Sequence, residues 1–110
     1  MPADTPLNAE ALREAADRAC RLLKTLSNPD RLVLLCHLAE GEKRVGELET
    51  LAGVPQPTLS QQLGVLREEG LVTTRREGKH IYYRFDDPQP LAVMKTLYEQ
   101  FCATPKEKTR

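Results

Sequence analysis

Three cysteines, Cys20, Cys36 and Cys102, carry the most reactive side-chain chemistry in this sequence of 110 residues. Their number is odd and no two lie close together, which excludes a disulfide scaffold and predicts free thiols in a reducing compartment. A thiolate can attack a sulfur–sulfur bond, but free cysteine is also commonly a small buried core residue. Cys36 lies among leucines, so both interpretations stay open at this point.

Metal ligands are sparse in the same sequence. His37 and His80 are its only histidines, and a structural zinc site normally needs four Cys or His ligands at close spacing. The cysteines and His37 do not supply that spacing, so we predict no metal site and no cofactor. The sequence contains no nucleophile elbow, phosphate loop or metal-hydrolase motif. We therefore predict that the protein is not an enzyme and has no catalytic residues.

A polar run followed by a basic segment forms the second group of functional candidates. The run 56–62 opens a predicted helix, and polar side chains at the start of a helix can contact base edges in the DNA major groove. The formal net charge of the chain is zero, but residues 75–84 hold Arg75, Arg76, Lys79 and Arg84 against Glu77 alone. Such a segment is either a phosphate-contacting surface or a solvated hairpin.

The elements that must position these residues follow from hydrophobic period and capping signals. Asn8 and Asn28 are good N-cap residues, and apolar residues recur at helical spacing after each of them. The sequence predicts helices near 8–26, from 29 to Gly41, about 45–52 and about 56–69. A hairpin with strands 71–75 and 81–85 around a tip at 77–79 follows, and then a last helix of about 88–103.

This order, α-α-α-α-β-β-α, predicts a mainly α protein with a small β-hairpin wing, a winged helix-turn-helix. The length suits a single domain, 1–110, with an ordered core of about 8–103 and a polar tail, 104–110. No stretch approaches the roughly 20 apolar residues that cross a bilayer. Residues 1–7 lack a signal-peptide pattern, so we expect a cytoplasmic protein without membrane contact.

The order of the motifs resembles the ArsR/SmtB family of bacterial repressors. The resemblance covers about residues 8–103. The matching segments are Leu26-Ser27-Asn28-Pro29-Asp30-Arg31-Leu32, Val45-Gly46-Glu47-Leu48, Gln56-Pro57-Thr58-Leu59-Ser60-Gln61-Gln62-Leu63, Leu66-Arg67-Glu68-Glu69-Gly70-Leu71-Val72 and the wing Arg75-Arg76-Glu77-Gly78-Lys79-His80-Ile81-Tyr82-Tyr83.

The resemblance implies a transcriptional repressor that binds double-stranded operator DNA as a homodimer. Two-fold dimers of this kind read palindromes, and the first and last helices resemble the dimer helices of the family. Two sets of DNA contacts are expected. The base-reading set is Gln56, Thr58, Leu59, Ser60, Gln61 and Gln62, and the phosphate-contacting set is Arg75, Arg76 and Lys79.

Cysteines on the second and last predicted helices resemble the BigR, SqrR and HlyU branch of the family. This resemblance implies that Cys36 and Cys102 form a dithiol switch that responds to reactive sulfur species (persulfides or polysulfides) or to oxidants. In this hypothesis the reduced protein binds the operator and the bridged protein releases it. Cys20 departs from the two-cysteine pattern. We interpret it as a packing residue, with an auxiliary or intermolecular thiol as the alternative.

Two other functions stay open. A metal-responsive repressor of this family uses a Cys-x-Cys-type cluster on the third helix, or Asp and His on the last helix. This chain has no cysteine in 43–48 and no histidine in 92–101, which leaves only a mixed thiolate site assembled across a dimer. The remaining function is a DNA-binding regulator with no sensor. Substitution of Cys36 and Cys102 separates these alternatives from the dithiol switch.

Overall fold

A computed structural model describes residues 8–102. The predicted polar tail, 104–110, and the end of the predicted last helix at residue 103 lie outside the described residues. The elements are α1 (Ala9–Leu26), α2 (Pro29–Ala39), β1 (Lys43–Arg44), α3 (Val45–Ala52), α4 (Thr58–Glu68), β2 (Val72–Glu77), β3 (His80–Phe85) and α5 (Pro88–Phe101). The prediction of a mainly α winged helix-turn-helix is confirmed.

The predicted helix starts are confirmed by the caps. The Asn8 side chain accepts a hydrogen bond from the Ala11 N–H at 2.7 Å, and Asn28 accepts from the Arg31 N–H at 3.0 Å. Each bond satisfies one of the N–H groups that the first turn of a helix leaves unpaired. Gly53 closes α3 with φ of 69°, a left-handed conformation that favours glycine.

The sheet has one strand more than the sequence predicts. The hairpin is present, with β2 antiparallel to β3 and the pairs Val72↔Phe85 and Glu77↔His80 at its ends. In addition, β1 pairs with β3, which gives the order β1-β3-β2. The predicted hairpin is confirmed, and β1 was not predicted because its two residues are too few to show an alternating pattern.

The core lies between α2, α3, α4, α5 and the sheet. Leu34, Leu35 and Leu38 of α2 are buried at its centre. They meet buried residues of the surrounding elements: Leu48, Leu59, Leu63, Leu66, Val72 and Met94. Because α2 contacts α3, α4, α5 and β3, a change in the position of α2 acts on most of the molecule.

Helix α1 contributes little to this core, since Thr25 and Leu26 are its only buried residues. Its apolar residues Leu12, Ala16, Ala19 and Leu23 follow one another at helical spacing and are all exposed. Leu12 and Leu23 are 47% and 57% exposed. No helix within residues 8–102 is long and apolar enough to cross a membrane.

Candidate nucleic-acid interface and thiol site

Helix α4 carries most of the predicted base-reading residues, and one of them was assigned wrongly. Leu59, Leu63 and Leu66 recur at i, i+4 and i+7, so they share one face of the helix. All three are buried, and Leu59 is 0% exposed. Leu59 therefore holds α4 in the core and cannot contact DNA. In the sequence, Leu59 lies within a run of polar residues. Only the helical period separates it from its outward-facing neighbours.

Two of the predicted DNA-contacting residues, Gln56 and Ser60, form hydrogen bonds that cap the start of α4. The Gln56 side-chain oxygen accepts from the Ser60 N–H at 3.1 Å and from the Ser60 hydroxyl at 2.7 Å. This contact stands in for an N-cap, since Pro57 at the cap position gives no side-chain bond. The Gln56 amide N–H groups remain able to donate outward. Thr58 is half-buried, and Gln61 is exposed.

Gln62 connects α4 to α2. Its side-chain oxygen accepts from Arg31 Nη1 at 2.8 Å, and Arg31 Nε also donates to the Thr25 carbonyl at 2.6 Å. The Arg31 guanidinium therefore joins the start of α2 to the end of α1 and to α4, the recognition helix of the predicted winged helix-turn-helix. The Gln62 side chain is half-buried and its oxygen is occupied by this contact, so Gln62 braces α4 against α2.

The wing holds its three predicted phosphate-contacting residues in different environments. Arg75 donates to both Glu42 oxygens at 2.8 Å and to Glu77 at 3.0 Å, and its guanidinium lies 4.4 Å from the centre of the Tyr82 ring. The hydrogen bond from Arg75 lowers the pKa of Glu42. Within residues 8–102, the exposed side chains of Arg76 and Lys79 have no such partner. Arg76 and Lys79 are thus the cations available to a phosphate.

This difference predicts unequal salt effects of three single substitutions. Each phosphate contact contributes about 0.9 to the slope of log K against log salt. We expect Arg76→Ala and Lys79→Ala each to reduce that slope by about 0.9 for every subunit bound to the duplex. Arg75→Ala should reduce it by less, because Glu42 and Glu77 already compensate its charge. The measurement is salt-dependent binding to a duplex that the reduced protein selects from a random library. If Arg75→Ala reduced the salt slope as much as Arg76→Ala does, the assignment of Arg75 as a compensated charge would be wrong.

The thiol site lies where α2 packs against α5. Cys36 is half-buried on α2, and Cys102 is exposed at the end of α5, where its N–H donates to the Tyr98 carbonyl at 2.8 Å. A cleft of about 260 Å³ separates the two helices at Cys36, and Met94 and Tyr98 of α5 line it. The two cysteines predicted as a pair therefore stand on neighbouring helices, with Cys36 in the cleft wall.

The surroundings of Cys36 disfavour its thiolate. Burial has the largest effect and raises the pKa of the Cys36 thiol, and the negative charges of Cys102 and then Glu40 raise it further. Burial acts because it penalises the charged form, and a like charge acts in the same direction. Cys20, interpreted from the sequence as a packing residue, is exposed on α1.

The raised pKa predicts the pH profile of Cys36. Because the thiolate is the nucleophile, the rate of alkylation by iodoacetamide should keep rising with pH above the ordinary thiol pKa of about 8.5. Cys102→Ser should move the profile toward lower pH, and Glu40→Gln should move it by less. Peptide mass spectrometry of quenched samples gives the profile, with the Cys20 peptide as internal control. A Cys36 midpoint at or below the ordinary value would be inconsistent with this environment.

Metal ligands do not converge in the part of the chain that the structure describes. Residues 8–102 contain no group of three or more His, Cys, Asp or Glu side chains placed to hold a metal ion. The chemistry offered at the thiol site is therefore that of two sulfur nucleophiles beside a small cleft.

Comparison with known proteins decides the family. Residues 28–74 match the family model described as "Bacterial regulatory protein, arsR family". The chain is 50% identical over 101 residues, 92% of its length, to the biofilm growth-associated repressor of Xylella fastidiosa (strain 9a5c), of which it covers 89%. This chain belongs to the ArsR family. It is a transcriptional repressor of that family and a homologue of BigR.

Solved ArsR-family structures have the same fold as this repressor. The crystal structure of the transcriptional repressor BigR from Xylella fastidiosa is 51% identical with a TM-score of 0.81, over 89% of this chain and all of that one. Reduced HlyU from Vibrio cholerae N16961 is 34% identical with a TM-score of 0.81. The match covers 86% of this chain and 99% of that one. A homodimeric winged helix-turn-helix DNA-binding domain from Mycobacterium bovis is 33% identical with a TM-score of 0.68. The match covers 87% of this chain and 86% of that one.

Two contacts of this ArsR-family repressor and the charged residues of its cleft were missed from the sequence. Arg31 bonds to a residue 31 positions away, and Arg75 to one 33 positions away, and no local pattern reveals such pairs. Lys95 and Glu99 line the cleft beside Cys36. Their spacing of seven and three residues before Cys102 was a readable signal, because i, i+4 and i+7 share a helix face.

Proposed function

We propose that this repressor binds operator DNA as a homodimer and releases it when persulfide-derived sulfur bridges Cys36 to Cys102. The observation that carries the proposal is the placement of the two cysteines on α2 and α5, the packed pair of helices that flanks the cleft. Free thiols require a reducing compartment, and we propose the cytoplasm as the location.

Support for the homodimer comes from apolar side chains of α1 and α5 that are exposed within the described residues. The stripe Leu12, Ala16, Ala19 and Leu23 of α1 is exposed. At the end of α5, Tyr98 is 55% and Phe101 is 74% exposed. Contiguous exposed apolar surface of this kind marks an interaction site. A second copy would cover it and set the distance between two recognition helices, as the reading of two half-sites requires.

For the DNA contacts, the geometry favours a smaller set than the sequence did. Gln61 is exposed at the beginning of α4, and Thr58, Ser60 and Gln56 surround the same end of the helix. We propose that these four side chains read base edges and nearby phosphates. Arg76 and Lys79 of the wing would then contact flanking phosphates.

The proposed bridge forms by thiol–disulfide exchange steps that balance. The Cys36 thiolate attacks the outer sulfur of a persulfide RS–SH, the donor sulfur–sulfur bond breaks, and RS⁻ leaves with the electron pair and takes a proton from water. The Cys102 thiolate then attacks the inner sulfur of Cys36–S–SH and expels hydrosulfide, which leaves a disulfide. If Cys102 already carries a second sulfur, the same attack leaves a trisulfide. The two thiols are oxidised, and the donated sulfur is reduced.

A bridge acts as a switch only if it favours one global state. Tying α5 to α2 constrains the helix that Arg31 joins to Gln62 of the recognition helix. Arg21 of α1 makes a second link, because its Nε donates to Glu69 at the end of α4 at 2.8 Å. The recognition helix is thus braced against both α2 and α1. A bridge that shifts α2 would alter the spacing of the two recognition helices in a dimer.

Mass spectrometry of the reduced protein tests the proposal. Samples are exposed separately to glutathione persulfide and to hydrogen peroxide, and peptides with Cys36 and Cys102 are mapped for a crosslink and for inserted sulfur. A bridge between Cys36 and Cys102 that forms only with persulfide, as a disulfide or with inserted sulfur, is the expected result. A simple disulfide with both reagents would assign a general oxidant sensor. No crosslink with either reagent would exclude the dithiol switch.

A further inference from the structure

The cleft between α2 and α5 carries charges as well as sulfur. Lys95 and Glu99 of α5 and Glu40 at the end of α2 line it together with Cys36, Met94 and Tyr98. Ligand pockets usually measure about 300–1,000 Å³, and this cleft has about 260 Å³. It therefore suits a molecule of the size of one amino acid and is small for a peptide.

The charges at the cleft call for a ligand with two opposite charges. Within the described residues, Lys95 and Glu99 are one helical turn apart and form no ion pair with any side chain. Glu40 already lies 3.8 Å from the Lys43 ammonium. A carboxylate would complement Lys95, and an ammonium would complement Glu99. A ligand that has a carboxylate but no ammonium would leave Glu99 uncompensated, and a tripeptide is larger than the cleft.

The same charges connect binding to reactivity. Burial and neighbouring negative charge hold the Cys36 thiol in its protonated form, so an isolated Cys36 is a slow nucleophile at neutral pH. A ligand ammonium beside Glu99 and Glu40 would introduce a positive charge near the sulfur. That charge favours the thiolate at the moment when the donor is in place.

We propose that this cleft selects a small zwitterionic amino-acid persulfide, such as cysteine persulfide, as the sulfur donor to Cys36 and discriminates against anionic peptide persulfides. The inference deepens the proposed function and rests on it. Lys95 receives the donor carboxylate, and Glu99 receives its ammonium. The Cys36 thiolate takes the outer sulfur, and free cysteine leaves as the thiolate and is protonated by water.

The test compares three donors on the full-length reduced protein: cysteine persulfide, N-acetylcysteine persulfide, which lacks the ammonium, and glutathione persulfide. The rate of Cys36 persulfide formation is followed by mass spectrometry in Cys102→Ser protein, where no bridge can form. We expect cysteine persulfide to react about tenfold faster than the other two, the effect of one charge-assisted contact. In Glu99→Gln protein this advantage should disappear, while the N-acetylcysteine persulfide rate should not fall, because that donor has no ammonium to lose its partner.

Glu49→Gln, a matched change at an exposed position of α3, should leave all three rates unchanged. Because N-acetylcysteine persulfide reacts at the same Cys36, its rate in each variant also reports on folding. Equal rates for the three donors would overturn the selectivity of the cleft and leave the bridge intact. Absence of Cys36 persulfide with every donor would overturn the dithiol switch as well.

Discussion

Cys36→Ser protein is expected to bind DNA with the affinity of the reduced unsubstituted protein. Persulfide should no longer cause it to release the DNA. Serine nearly keeps the size of the side chain but cannot form a sulfur bridge, and Cys36 is not one of the DNA-contacting residues proposed on α4 and the wing. Allosteric coupling of about 1–3 kcal/mol corresponds to a change in affinity of about 5–150-fold. We expect the unsubstituted protein to show a change of this size after persulfide treatment and the variant to show none, in fluorescence anisotropy with the selected duplex.

Cys102→Ser should behave in the same way, because a bridge needs both ends. Cys20→Ser is the matched control, since Cys20 is an exposed cysteine on a different helix, and its response to persulfide should be retained. Release that persists in the Cys36→Ser, Cys102→Ser double variant would refute the switch. It would then favour a response to persulfide through another group of the protein.

Leu59→Ala and Gln61→Ala are expected to impair DNA binding by different routes. Leu59 is completely buried, and truncation of a buried leucine costs about 2–5 kcal/mol of folding free energy. That is a large share of the roughly 5–15 kcal/mol by which a domain is stable. Gln61 is exposed, so Gln61→Ala should leave stability unchanged. Its loss should weaken binding to the selected duplex by about 1–3 kcal/mol.

Two measurements separate these routes. Urea denaturation reports the free energy of unfolding, and anisotropy below the unfolding transition reports affinity for the duplex. Leu59→Met nearly conserves volume and should restore stability to within about 1.5 kcal/mol. If Leu59→Ala proved as stable as the parent while its affinity fell, the assignment of Leu59 to the core would be wrong.

The sequence predicted the elements well because their signals are local. Asn8 and Asn28 cap the helices expected of them, and Gly78, with φ of 63°, opens the turn predicted at the hairpin tip. Strand β1 was missed because two residues carry no period. The ion pair between Arg75 and Glu42 was missed because the two residues are distant in sequence. Only the three-dimensional structure shows that they are in contact.

The candidate site shows the same division. Residue type and motif order identified the polar run and the two cysteines, which need no contact information. Whether each side chain points outward required the structure. The buried face of α4 removed Leu59 from the DNA-contacting set, and the contact with Arg31 gave Gln62 a different role.

The separation of faces on α4 has an evolutionary consequence. Leu59, Leu63 and Leu66 anchor the helix on one side, and Gln61 and its neighbours occupy another. Mutations on the outward side leave the anchor untouched, so drift in target preference carries little risk of misfolding. After gene duplication, two copies of such a repressor can acquire separate regulons through a few outward substitutions while sharing one scaffold.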